Sequence, residues 1–565
     1  MSATRPDRTA TRASRPTAQD ARPSLRLLGQ LGIAVAAGLA LGLSWQPYNL
    51  WPLLLVGIPA FSLLVRGLAL RRSFGLGYVF GLAMLVLAIN WIHVLGFWVA
   101  VALIAFEALF FGLLGVALTL VGRLRVWPVA AACAWVLIEF GYARIPFGGF
   151  GWTRLGYAAV DTPLAGFFPV VGVVGVSFGV ALLGQLVAWI VLSAVAGRRR
   201  GRETTSGRTT RRPLVVALAL TVVLVLVGSG LRTFQVEPVD GRAGSVNVGI
   251  VQGNVPGRGI GAMGRARSVT DNHLSETVNL MTRSRLALVP APDFLLWLEY
   301  STDIDPLRDV VTNRVVQSAA EVAGLPILVG AVTEGPGEDE RQTSALWWDP
   351  QRGVLARYDK RNLVPFGEWI PFRDQLLPVL PILRQVGAQS VAGSEPGVLS
   401  VPVGQREIRL GDVICFELAY DSTVYETLTG GAQVSVVQSN NATYGGTGQI
   451  EQQFAITRAR AMESRREVAV ATTNSVSGLI DRNGRVVSRT AEFTAASMVV
   501  TMPLRTALTP AVVLAPWLGR GLAALGLLFC GLGWAAYRTA SRRGPVMRED
   551  GPITTTPVVE PAPTR

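Results

Sequence analysis

Residues 293–301 read DFLLWLEYS, in which five consecutive apolar or aromatic side chains run straight into a carboxylate, Glu299. A short apolar run with no polar alternation, bounded by turn residues, predicts a strand covered on both faces. The same grammar recurs in VNVGIVQ (246–252), ILVGAV (327–332), IRLGDVICF (408–416), VSVVQSN (434–440), VAVATTN (468–474) and SMVVTM (497–502). Polar segments of helical character lie between these runs at 268–287, 306–323 and 447–465. Residues 244–503 are therefore expected to form one layered α/β domain, long enough to bury a large core.

The rest of the chain follows a different rule. Half of the 565 residues are hydrophobic and only 16% are charged, and the mean hydropathy is +0.39. A soluble domain carries about a quarter charged residues. A helix needs roughly 20 mostly apolar residues to cross a bilayer. Windows of that kind fall at 24–43, 49–69, 73–94, 96–122, 126–143, 164–195 and 213–231, with an eighth at 508–537; Glu139 interrupts the fifth. The expected organisation is a basic tail (1–23), a membrane domain of seven spans (24–231), the α/β domain (244–503), an eighth span (508–537) and a disordered tail (541–565).

Net charge is +14, but its distribution speaks against nucleic acid. The N-terminal tail, Arg71–Arg72, Arg123 with Arg125, and GRRRGRETTSGRTTRRP are arginine blocks beside apolar windows. SWQPYNLWP and NWIHVLG, which follow the first and third windows, have no Lys or Arg. The positive-inside rule then puts both termini in the cytoplasm and residues 232–505 outside.

Three cysteines, Cys133, Cys415 and Cys530, cannot form a disulfide framework. No Cys/His cluster has metal-ligand spacing, so neither a metal site nor a cofactor is implied. Cys415 is the only cysteine in the polar region and ends the run GDVIC, flanked by Asp412 and Glu417. The thiolate is the reactive form, so a nucleophilic Cys415 needs a base. His273, in SVTDNHLSETVNL, is expected on a solvated helix face. Glu299 is the better base, because a carboxylate at the end of a buried strand is partly desolvated and its pKa rises. Lys360 is the single lysine against 51 arginines, and its compact ammonium could stabilise an oxyanion. Gly259, Gly261 and Gly264 spell G-x-G-x-x-G, but Gly253, Pro256 and further turn residues separate them from the preceding strand, and a dinucleotide turn has no such gap.

Glu299, Lys360 and Cys415, in that order and each at a strand end, resemble the nitrilase superfamily. With seven spans before the domain and one after it, the chain is similar to the apolipoprotein N-acyltransferase family over residues 24–537. The strings VQGNVP, YDKRNLVPFGEWIP, GDVICFE and SNNATYG carry the resemblance, with Trp135 and Glu139 of the fifth span leading to GGFGW. The resemblance implies a polytopic α-helical membrane domain of about eight spans and an extracytoplasmic nitrilase-like α/β/β/α sandwich. It implies Glu299 as general base, Lys360 as oxyanion stabiliser and Cys415 as nucleophile. Glu368 would be an auxiliary carboxylate, and Phe416, Glu417, Tyr444 and Glu139 would line or support the site. Phe416 stands where the family often has tyrosine, Thr443 where many members have tryptophan, and no tryptophan follows VQGNVP.

The partners implied are a glycerophospholipid acyl donor, a diacylglyceryl apolipoprotein acceptor and the lipid bilayer, with the chain a monomer in the cell membrane. The implied reaction passes an acyl chain through a Cys415 thioester to the acceptor's α-amino group. A membrane-anchored amidase or nitrilase that uses the same three residues with water is the alternative. A non-enzymatic module is disfavoured by the presence of all three together.

Overall fold

In the computed structural model, residues 21–200, 212–238, 243–255, 257 and 266–542 are described. The G-x-G-x-x-G glycines, nearly all of the basic tail and the C-terminal tail from residue 543 lie outside them. Seven helices open the chain: α1 (Ala21–Gly42), α2 (Leu54–Val65), α3 (Leu70–Ala88), α4 (Phe97–Val121), α5 (Trp127–Tyr142), α6 (Phe168–Arg200) and α7 (Arg212–Gly230). They occupy the seven windows expected from hydropathy. Among the described residues, six helical segments are long and apolar enough to cross a bilayer: α1, α3, α4, α6, α7 and the last helix of the chain. The apolar helices at 51–65 and 127–142 are shorter than that.

The following region contains β1 (Ser245–Gln252), α8 (Ser268–Arg285), β2 (Phe294–Leu296), α9 (Val310–Ala323), β3 (Ile327–Glu334), β4 (Glu340–Asp349) and β5 (Gly353–Asp359). It continues through α10 (Arg373–Leu376), β6 (Gln389–Ser390), β7 (Val398–Val403), β8 (Arg406–Ile414), α11 (Asp421–Thr429) and β9 (Val434–Ser439). It closes with α12 (Gly448–Ser464), β10 (Val468–Thr472), β11 (Gly478–Ile480), β12 (Val486–Arg489) and β13 (Ala496–Pro503), before α13 (Pro510–Arg542).

Two sheets form, ordered β13-β1-β2-β3-β4-β5, with β6 beside β4, and β12-β11-β10-β9-β8-β7. β1, β2 and β3 run parallel, as do β8, β9 and β10. Their inner faces meet in one core that includes Val248, Phe294, Leu296, Trp347, Leu410, Ile414, Val436 and Ala469. Helices α8 and α9 cover the outer face of the first sheet through Leu280, Val316 and Ala320 against Trp297 and Val329. The outer face of the second sheet, through Val413 and Val437, shares a single apolar core with α11, α12 and the membrane helices. This α/β/β/α sandwich thus rests on the helix bundle through its second helical layer.

The parallel strands place their C-terminal ends together, as open α/β sheets do around ligand sites. Gly330 on β3 permits one such meeting, since a Cβ there would lie 2.0 Å from the Leu298 carbonyl oxygen and 2.7 Å from the Glu299 Cα.

Candidate active site

Glu299 follows β2, Lys360 follows β5, and Cys415 follows β8, so three strand ends from two sheets converge. Lys360 Nζ lies 2.8 Å from Glu299 Oε1 and 3.0 Å from Glu368 Oε1. All three side chains are buried, and Lys360 is only 1% exposed. The second oxygen of Glu299 accepts the Asn440 N–H at 2.8 Å. Glu368 is oriented in turn by the Val364 N–H on Oε2 (2.7 Å) and the Tyr300 hydroxyl on Oε1 (3.2 Å). Cys415 shares the electrostatic environment of Glu299, Lys360 and Glu368, with Ser439 nearby.

Backbone conformation is unusual beside Glu299, at Cys415 and in the loop that carries Glu368. Tyr300 (φ 59°), Phe366 (φ 61°) and Cys415 (φ 54°) are non-glycine residues in the left-handed region. Such residues cost roughly 1–3 kcal/mol each and persist only where the surroundings hold them. At Cys415 the holding group is Glu417. Its carboxylate accepts the Ile414 N–H (2.9 Å), the Arg361 and Asn362 N–H groups (2.8 and 3.1 Å) and the Tyr358 hydroxyl (2.9 Å). Glu417 is wholly buried. It therefore lies beneath the site, clamping the Cys415 turn to the Lys360 loop, rather than lining the open face.

The charges of the group follow from burial and contact. Burial raises the Glu299 carboxyl above its ordinary range, Lys360 opposes this, and the charge of Glu368 adds to it. Burial alone would lower the Lys360 ammonium, but Glu299 and Glu368 outweigh it and leave the pKa well above the usual value. Burial and the Glu299 charge push the Cys415 thiol up to about 12, against the pull of Lys360 and Ser439. Burial and contact thus favour the ammonium at Lys360, the thiol at Cys415 and a more basic carboxyl at Glu299.

Aromatic rings from the membrane segments floor this cluster. Phe416 stacks on Phe150 (centroids 5.9 Å apart) and Trp152 (5.6 Å), both from FGGFGW between α5 and α6. Trp91, between α3 and α4, lies 5.6 Å from Trp152 and 5.2 Å from Tyr444. Both indole N–H groups donate to Gln452 Oε1, at 2.9 and 2.8 Å. No local signal in the sequence marks Trp91 or Gln452: Trp91 is the one tryptophan of NWIHVLG, and Gln452 is a polar residue within α12. Phe147 packs against Phe366, Trp369 and Phe372 at 5.9–6.2 Å.

Two expectations need comment. His273 is not solvated: it is fully buried, with Nδ1 2.6 Å from the Val269 carbonyl and the ring 5.4 Å from Trp297. It occupies the buried stripe of α8 with Val269, Glu276 and Leu280, which faces Trp297 beside the first sheet. Glu139 is buried in α5. Its Oε1 accepts the Leu155 N–H at 2.7 Å, and Arg154 Nε stands 3.9 Å from Oε2. Arg144, just past the end of the same helix, donates to the Phe140 carbonyl.

The Carbon-nitrogen hydrolase family profile matches residues 268–508, which form most of the two-sheet sandwich; the sandwich is thus a carbon-nitrogen hydrolase domain. The Apolipoprotein N-acyltransferase N-terminal domain profile matches residues 37–186. An apolipoprotein N-acyltransferase from Mycolicibacterium smegmatis is 33% identical over 494 residues, covering 86% of this chain and 82% of that protein. One from Photobacterium profundum is 24% identical, covering 87% of this chain and 92% of its own. An amidase of the nitrilase superfamily from Nesterenkonia superposes with a TM-score of 0.37 at 15% identity, covering 51% of this chain and 99% of the amidase. The chain belongs to the apolipoprotein N-acyltransferase family. It is an acyltransferase built on the nitrilase fold.

Proposed function

We propose that the protein moves a fatty acyl chain from a membrane glycerophospholipid to the α-amino group of the diacylglyceryl-modified N-terminal cysteine of an apolipoprotein. The observation that carries this reading is the buried Lys360 ammonium bridging Glu299 and Glu368 (2.8 and 3.0 Å) beside Cys415, on a floor of aromatic rings that includes Trp91, Phe150 and Trp152 from the segments between the membrane helices.

Two half-reactions follow from the charges. Cys415 is a thiol at rest, so Glu299 takes its proton as sulfur attacks the ester carbonyl. The developing oxyanion is stabilised by the Lys360 ammonium, whose donors are preorganised and desolvated. The carbon–oxygen bond breaks, the lysophospholipid alkoxide takes the proton from Glu299, and the acyl chain remains on Cys415 as a thioester. In the second half, the lipoprotein amine attacks that thioester and Glu299 receives the amine proton. The new amide bond forms as the carbon–sulfur bond breaks, and the proton returns to sulfur. Glu368 keeps the ammonium centred, and the rings of Phe150, Trp152 and Phe416 exclude water that would hydrolyse the thioester.

The domain lies on the extracytoplasmic face in this reading, with both termini in the cytoplasm, so that donor and acceptor reach the site from one leaflet. Reporters fused near residues 205 and 340 test that arrangement, with the first expected inside and the second outside. The activity test incubates the purified protein with acyl-labelled phospholipid and a diacylglyceryl lipopeptide. Label in an amide on the lipopeptide supports transfer. Label released only as free fatty acid, with the lipopeptide unmodified, favours the hydrolytic alternative.

A further inference from the structure

Arg460 on α12 is 2% exposed, and its guanidinium is used on every side. Nε donates to the Leu418 carbonyl at 2.9 Å, within the helical turn Cys415–Ala419 that carries the thiol. Nη1 donates to Glu463 at 2.7 Å, and Nη2 to the Tyr157 hydroxyl (3.1 Å) and Asp421 Oδ1 (2.8 Å). The same Asp421 oxygen accepts from Arg154 Nη1 at 2.7 Å. Arg154 follows the aromatic segment 147–152 and stands beside Glu139 of α5. A continuous run of charged contacts thus leads from a membrane helix to the carbonyl three residues beyond Cys415.

The Cys415 turn is pinned at both ends. Glu417 holds the Ile414 N–H in front, and Arg460 holds the Leu418 carbonyl and the start of α11 behind. A left-handed cysteine stays so only while its surroundings over-determine it, so a loosened rear pin lets the turn relax and moves the sulfur. Burial alone would raise the Asp421 carboxyl, but Arg154 and Arg460 outweigh it and hold it well below the carboxylate range. Asp421 is therefore a fixed anion between two cations.

We propose that Arg460 is the positioning residue of the Cys415 turn, and that Asp421 and Arg154 tie that position to the membrane bundle. The proposal rests on the reading of Cys415 as the nucleophile.

The test uses the full chain in phospholipid-containing micelles and follows the rate of Cys415 acylation by quenched-flow mass spectrometry. Arg460→Lys keeps the charge but cannot serve Leu418 and Asp421 with a planar fork. It is expected to lower kcat for acylation about 10–100-fold, the scale of a small misplacement of a reacting group, with KM for phospholipid within about twofold. The melting temperature should stay within a few degrees, which separates positioning from loss of fold. Arg154→Lys touches neither the turn nor the thiol, and its loss should not multiply with that of Arg460→Lys, because residues in one network are non-additive. Parental acylation by Arg460→Lys, or two losses that multiply fully in the double variant, would overturn the proposal. If Arg460→Lys yields no folded protein, alkylation of Cys415 by iodoacetamide in Arg154→Lys decides: slowed alkylation supports the proposal, and an unchanged rate overturns it. Alkylation requires no phospholipid, so it fails or succeeds independently of the proposed acyl transfer.

Discussion

Lys360 Nζ stands 2.8 Å from Glu299 Oε1 and is closed off from solvent. In a chain with 51 arginines, the single lysine holds its ammonium between two buried carboxylates.

That relationship makes Lys360→Arg a sharp test of shape against charge. Guanidinium retains the positive charge but places its donors in a plane and needs more room. The variant should form the Cys415 acyl-enzyme about 10²-fold more slowly or worse, the scale of losing one oxyanion donor. Single-turnover acylation with phospholipid measures this. A rate near that of the parent would mean that positive charge alone is sufficient.

The acid limb of the reaction should report Glu299. The residue must be ionised to accept a proton, so acylation rises with pH through its pKa. Burial and the charge of Glu368 place that pKa above the ordinary 4.5. Glu368→Gln removes the like charge and leaves Lys360 to Glu299 alone. Both changes favour the ionised base, so the limb should shift to lower pH. Acylation rates for parent and variant across the acid range check the sign, and a limb that stays or moves upward would refute it.

His273 should make the domain acid-sensitive. Burial pushes its imidazole from 6.5 down to about 4, with the Val269 carbonyl opposing. The unfolded chain binds a proton near pH 6.5, while the folded chain resists until about 4. Stability is therefore full above pH 6.5 and falls as pH drops through that window. At 1.36 kcal/mol per pK unit the loss approaches about 3 kcal/mol. His273→Leu should show a smaller fall in melting temperature between neutral and acid pH than the parent. Parallel curves would contradict the assignment.

The three central residues were legible because each pairs a reactive group with a strand end. Glu299 and Cys415 close apolar runs, and Lys360 is the sole lysine. The parallel inner strands and the helices α8, α9 and α12 were also legible, since continuous apolar runs and polar helical segments alternate there. Of the antiparallel strands, β13 was legible in SMVVTM, whereas β4 and β12 were not. β4 begins ERQT and β12 is mostly exposed, so neither carries a buried-strand pattern. His273 was misread because polar neighbours masked its place on the buried stripe of α8. The aromatic floor and the Arg460–Asp421 pair depend on contacts between segments far apart in the chain. Trp91 and Gln452 are separated by 361 residues, and no local pattern announces such a contact.

In the proposed reaction Cys415 carries the acyl chain. The most direct measurement of this is mass spectrometry of the purified protein after incubation with phospholipid in the absence of acceptor. An added acyl mass is expected on the peptide containing Cys415, labile to hydroxylamine, discharged by a diacylglyceryl lipopeptide and absent in Cys415→Ala. An unmodified Cys415 peptide under conditions where the lipopeptide becomes N-acylated, or full acyl transfer by Cys415→Ala, would contradict it.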